Sequence, residues 1–287
     1  MTRKRAKEIG LNVWERLSKP YYQGAAAQLA FFFLMSMVPL FILLSQILGL
    51  FSVSAGVLSD ILSRYLSEEL FSTIGEYLVY RPSGTFTVVM VACALWAASK
   101  AHFALIGVAN YTYTGLTRGR GYLWERFRSM GNTVLVLLLL TFSLVVLVYG
   151  NLILEMIDMY LVRFLHLEAG LDRVWYLLRW PLGLAAYFFV ITYILYTLPS
   201  EKLPFRKILP GSLLTSAGMS LVTFFYSIYI NHSTGRDILY GSLASIILLL
   251  IWFYFICYVL VVGIVFNAAW HESEEFASSE KNRKKFI

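Results

Sequence analysis

Long apolar runs separated by short charged stretches set the pattern of this chain. No Asp, Glu, Lys or Arg occurs between Lys19 and Asp60. The apolar part of that interval, roughly residues 25–48, is long enough to cross a bilayer core as a helix, which takes about 20 residues. Five more such runs follow, roughly 85–109, 132–154, 174–198, 209–230 and 241–269. Runs such as VLVLLLLTFSLVVLVYG do not alternate, so they lack the period-2 signature of a membrane β-barrel. A segment in lipid must satisfy its own backbone hydrogen bonds, and a helix does so. The pattern predicts an all-α polytopic membrane bundle with six transmembrane helices. The first run is too long for a signal peptide, and no small-residue cleavage site follows it.

Shorter amphipathic segments lie outside these runs. In EIGLNVWERLSK, residues 8–19, helical spacing puts Ile9, Val13, Trp14 and Leu17 on one face, which predicts a helix lying on the membrane interface. Residues 55–80 carry an apolar stripe through Leu58, Ile61, Leu62, Tyr65 and Leu66, with Asp60, Ser63 and Glu68 largely opposite. That segment reads either as a cover over a cavity mouth or as a helix resting on the bilayer. After the third run, Asn151, Glu155 and Asp158 recur on one helical face, so that helix continues past the membrane. The chain divides into an N-terminal segment at 1–23, a membrane domain at 24–270 and a charged tail at 271–287.

Composition supports lipid as the solvent. Hydrophobic residues make up 59% and charged residues 14%, against about a quarter charged in soluble domains. The distribution of charge then sets orientation. Seventeen Lys and Arg residues fall in the N-terminal segment, the loops after the second and fourth runs, and the tail, against six on the opposite side. The positive-inside rule puts both termini in the cytoplasm. The net charge of +7 is thereby explained without nucleic acid as a partner. Cys93 and Cys257 fall in apolar runs and read as small buried hydrophobes, not as a disulfide pair.

One cation falls inside a run. In WAASKAHFAL, residues 96–105, Lys100 lies near the middle of the second crossing, where a lysine costs about 2.5–3.5 kcal/mol on insertion scales. Ala94, Ala97, Ala98, Ala101 and Ala104 surround it, and small residues let helices approach. Lys100 is therefore expected to face the bundle. Three roles stay open: contact with an anionic substrate group, a hydrogen bond to helix carbonyls, or snorkelling to the interface. No Asp or Glu lies in another run, so its candidate partners are the acceptors Gln28, Ser36, Gln46, Tyr226 and Asn267. His102 points to a different helix face and reads as a packing residue or a proton relay. Pro39 should kink the first crossing and free a carbonyl near Met35, so Ser36 and Pro39 mark either a bend beside a pathway or a packing kink. Pro181 and Pro210 read as helix starts.

Enzyme signatures are missing from the sequence. His102, His166, His232 and His271 show no metal-ligand spacing. No phosphate-binding glycine loop or nucleophile elbow occurs. The expectation is a non-enzyme with no catalytic residue, metal or cofactor.

Several motifs resemble the YihY/BrkB family of bacterial membrane proteins. In the first crossing these are Ala30-Phe31, Ser36, Pro39 and Leu40, and in the second Trp96-x-x-Ser99. Near the end they are Pro210-Gly211, Tyr240-Gly241-Ser242-Leu243-Ala244, Trp252, Gly263 and Asn267. The resemblance covers roughly residues 15–270 and implies a six-helix inner-membrane protein without a settled activity. That family has carried a ribonuclease label, which nothing in this sequence supports. It has also been linked to envelope integrity and export of lipid-like molecules. The reading that follows is a non-enzymatic transporter or translocator of a lipid or anionic solute, with Lys100, His102, Gln28, Ser36, Pro39, Tyr226 and Asn267 as candidates along the path. The alternative is a membrane scaffold that moves nothing. Membrane lipids are the expected partners, and the oligomeric state is open.

Overall fold

The computed structural model of the chain describes residues 3–50, 84–117, 119, 121–165, 171–201, 203–232 and 243–283. Among these the chain forms seven α-helices and no strand. They are α1 (Arg3–Leu17), α2 (Pro20–Leu50), α3 (Gly84–Thr114), α4 (Tyr122–Leu165), α5 (Leu171–Thr197), α6 (Phe205–His232) and α7 (Leu243–Arg283). Three stretches among the described residues are long and apolar enough to cross a membrane: Val91–Thr114 in α3, Phe205–Ile230 in α6 and Ile246–Glu274 in α7. Pro181–Thr197 in α5 is a shorter apolar helix. The amphipathic segment expected at 55–80 lies outside the described residues, as do Tyr240, Gly241 and Ser242.

The helix boundaries meet the expectation in one place and depart from it in three. α4 runs on through Asn151, Glu155 and Asp158, as their spacing predicts. α7 does not end with its apolar run but continues through the charged tail to Arg283. Pro181 and Pro210 lie inside α5 and α6 and do not start them. In α6 the helix begins five residues before Pro210, where the Lys207 amide donates to the Pro204 carbonyl at 2.9 Å.

Local chemistry explains the tight connections. Between α1 and α2, the Ser18 amide and hydroxyl both donate to the Trp14 carbonyl, and Pro20 supplies a first helical residue that needs no donor. At the end of α3, Gly115 adopts φ +75° and its amide donates to the Tyr111 carbonyl at 2.9 Å. That left-handed cap suits glycine and stops the helix.

The helices form a closed ring. Each of α2 to α7 packs on its sequence neighbours, and α7 returns to pack on α2, with α7–α3 and α2–α4 contacts inside the ring. α1 packs on α7: Ile9 is buried, Val13 and Leu17 meet the core, and Trp14 points away at 74% exposure. Arg16 holds both carboxylate oxygens of Glu272 from Nη2, at 2.6 and 2.7 Å, and Arg5 donates to the Ser273 hydroxyl.

Burial is unequal along the ring. The main core, including Tyr22, Leu29, Leu105, Ile106, Ile208 and Val261, fills the end of the bundle that carries α1 and the last turns of α7. Among the described residues of α5, α6 and α7, none is buried before Val190, after Met219 or before Cys257 respectively. Among the described residues, those helices are therefore fully buried only toward the terminus-bearing end. A smaller cluster of Leu43, Ala94, Ala98 and Leu137 carries the α2–α3–α4 side further. Cys257 is buried as expected, whereas Cys93 is exposed.

Lipid is as apolar as leucine, so helices in it associate through close packing and polar contacts. The α6–α7 interface shows this. A Cβ on Gly211 would fall 2.2 Å from Asn267 Oδ1, and one on Gly263 would fall 1.8 Å from Thr215 Oγ1. Gly24 has nothing within 4 Å. Gly263→Ala should therefore destabilise the bundle by about 1–3 kcal/mol through overpacking. Thermal unfolding in detergent checks this: the Gly263 variant melts earlier than the parent and Gly24→Ala does not.

Candidate functional site

Polar groups concentrate where α3, α4 and the α5–α6 connection meet. Glu125 lies in the first turn of α4, where the helix dipole favours an anion, and is 1% exposed. Its Oε1 accepts from Asn110 Nδ2 at 2.8 Å, from the Gly119 amide at 2.7 Å and from the Ser200 hydroxyl at 3.4 Å. Asn110 Oδ1 in turn accepts from the Ser200 amide at 2.9 Å. Arg128 donates to the Leu198 carbonyl and to Ser200 Oγ. The cluster ties three parts of the chain through one carboxylate. Gly119 is required there, because a Cβ would meet Ser200 Cβ at 2.7 Å.

The residue after Glu125, Arg126, reaches back along α3 to its middle. It is 3% exposed, and Nη2 donates to the Trp96 carbonyl. Its guanidinium lies 4.2 Å from the Trp96 ring centroid and 5.6 Å from that of Phe103. Such cation–π contacts are worth about 2 kcal/mol when desolvated. Ser99, fully buried, also donates to the Trp96 carbonyl, at 3.0 Å. The Trp96-x-x-Ser99 pair thus forms the seat of Arg126.

The path residues predicted from sequence do not gather in one place. Lys100 is exposed and does not face the bundle. The reason is helical phase: Ala94, Ala98, Ala101 and Leu105 make the buried face of α3, and a residue two beyond Ala98 lies about 200° round the helix. Gln28 is likewise exposed. His102 is buried, with Nε2 unbonded among the described residues. Ser36 is buried and donates to the Ala97 carbonyl at 3.2 Å, which fastens α2 to α3, and Pro39 is half-buried one turn on. The Gln46 side chain lies outside the described ones.

The later motif residues serve the α6–α7 contact. Asn267 Oδ1 accepts from the Gly211 amide at 2.9 Å. That amide is the first after Pro210, so the motif residues Pro210, Gly211 and Asn267 meet at one point. Thr215, pressed against Gly263, donates to the Gly211 carbonyl at 2.7 Å. Tyr226 stacks on Trp252 at 5.7 Å. Among the described residues no three His, Cys, Asp or Glu side chains come together as a metal site would need.

Sequence reading missed Glu125, Arg126, Asn110 and Ser200. Arg126 and Arg128 entered only as loop charges that set orientation. An available signal was Glu125-Arg126-x-Arg128, a charged group opening a helix beside an apolar run.

Removing the carboxylate should loosen the terminus-bearing end. Glu125→Ala leaves the buried Asn110 side chain without its acceptor, at about 1–3 kcal/mol, and also removes the acceptor of the more accessible Gly119 amide. Glu125→Gln keeps an acceptor oxygen and should fall between parent and Ala variant in detergent melting temperature.

Comparison with known proteins agrees with the geometry. The ribonuclease-like protein YfkH of Bacillus subtilis is 25% identical over 257 residues, covering 88% of this chain and 91% of that protein. A UPF0761 membrane protein of Vibrio vulnificus is 25% identical over 259 residues, 89% of this chain and 80% of its own length. A UPF0761 membrane protein of Photobacterium profundum matches at the same identity over 89% of this chain and 78% of its own length. No solved structure matches. The profile described as virulence factor BrkB matches residues 13–286. An all-helical membrane protein whose motif residues seat Arg126 and clamp α6 to α7, this chain belongs to the virulence factor BrkB family.

Proposed function

We propose that this protein is a non-enzymatic translocator of the bacterial inner membrane that moves a lipid or another anionic solute. Six helices, α2 to α7, cross the bilayer, and both termini are cytoplasmic. The observation that carries the reading is the one-ended seal of the ring. At the terminus-bearing end a continuous apolar core and the Glu125 cluster close the bundle. Toward the other end, α5, α6 and α7 expose large apolar side chains such as Phe189, Phe224, Phe225 and Phe255 and bury none among the described residues. A bundle whose described residues are packed shut at one end and not fully buried toward the other has the form expected of one state of an alternating-access carrier. The basic residues of the N-terminal segment and tail support a cytoplasmic closed end.

Purified protein in vesicles tests this. With fluorescent phosphatidylglycerol in both leaflets, a membrane-impermeant quencher should bleach the inner-leaflet label faster in protein-containing vesicles than in empty ones. Rates equal to those of empty vesicles, for the lipid and for small organic anions alike, would leave a scaffold as the reading. Cleavage of added RNA by the same preparation would make it an enzyme instead.

A further inference from the structure

Buried charge is the strongest unexplained feature outside the Glu125 cluster. Arg126 stays protonated in any protein environment. It is almost wholly buried, yet no carboxylate pairs with it among the described residues. It meets one carbonyl and two aromatic rings on α3, Tyr122 of its own helix lies within electrostatic reach, and its Nε has no hydrogen-bond partner among the described residues. A buried cation with a free donor is expensive unless an anion joins it.

The second cation is close by in the helix pattern. Lys100 lies four residues after Trp96 and three before Phe103, so all three share one face of α3. The two rings on that face are the ones that hold the Arg126 guanidinium. Lys100 is exposed there, and Trp96 is 46% exposed. No hydrogen bond or ion pair engages Lys100 among the described residues. The face therefore offers a buried guanidinium, an exposed ammonium and an open aromatic edge, with no acid paired to either cation among the described residues.

We infer that Arg126 and Lys100, with Trp96 and Phe103, form a binding site for a phosphate-type oxyanion on the exposed side of α3. Arg126 Nε supplies a fixed donor, and the ammonium closes over the anion from the accessible side. Trp96 and Phe103 keep water from the guanidinium and present apolar surface to whatever carries the phosphate. As the substrate contact of a carrier, this site rests on the translocator reading; as a binding site it is testable apart from transport.

Native mass spectrometry of the purified full chain, titrated with phosphatidylglycerol, phosphatidylcholine or inorganic phosphate, is the test. The parent should retain phosphatidylglycerol about fivefold or more over phosphatidylcholine. Lys100→Gln and Arg126→Gln should each remove most of that preference, and Lys100→Arg should keep it. Lys100 is exposed, so its variants fold even where Arg126→Gln does not. Equal retention of the two lipids by the parent, or an undiminished preference in Lys100→Gln, would overturn the site. Inorganic phosphate that displaces phosphatidylglycerol from the parent marks a site open to free phosphate, and failure to displace it marks a headgroup site. Selective binding without vesicle flux would sink the translocator reading and leave the site standing. Flux in the parent without selective binding would do the reverse.

Discussion

A single carboxylate organises the closed end of this bundle. Glu125 receives donors from α3, from the loop that follows it and from the α5–α6 connection. Charge-assisted bonds of this kind are about twice as strong as neutral ones, and the one to Asn110 is buried. The Glu125 position also fixes where its neighbour Arg126 can reach. With α4 anchored at Asn110, the guanidinium extends back along α3 as far as Trp96. The seat of the buried cation thus depends on the anchor of the buried anion.

The rest of the ring is held by proximity more than by charge. Gly211 and Gly263 bring α6 and α7 so close that side chains from the opposite helix occupy the space of their missing Cβ atoms. Thr215 and Asn267 then bond to the Gly211 backbone. In a solvent that gives apolar surface no reason to hide, this combination of small residues and short polar bonds replaces the hydrophobic drive.

Much of this architecture was legible in the sequence. Apolar runs found the helices because backbone satisfaction in lipid leaves little other choice. The motif pairs Trp96 with Ser99 and Gly211 with Asn267 proved to be contacts. Lys100 was legible as an anomaly but not in its direction: its alanine neighbours were weighed as a group, whereas their phase turns Lys100 outward. Glu125 and Arg126 escaped because their partners lie between 6 and 75 residues away, and loop charge speaks only to topology. The continuation of α7 into the tail was hidden by its change from apolar to charged composition. Its acids have partners on α1, which no local pattern reveals.

That last helix has a consequence for how the protein is made. α7 touches α1, α2, α3 and α6, and Arg16 meets a residue 256 positions later in the chain. Helices α2 to α6 therefore leave the ribosome as an open arc whose first and last members both still lack α7. At about 5–20 residues per second, the arc waits many seconds in the membrane before synthesis delivers the segment that completes it. During that interval the small-residue faces of α2 and α6 are open to wrong partners. Assembly is thus a late, single event decided by the final stretch of translation, and the order of synthesis is itself part of what this fold must survive.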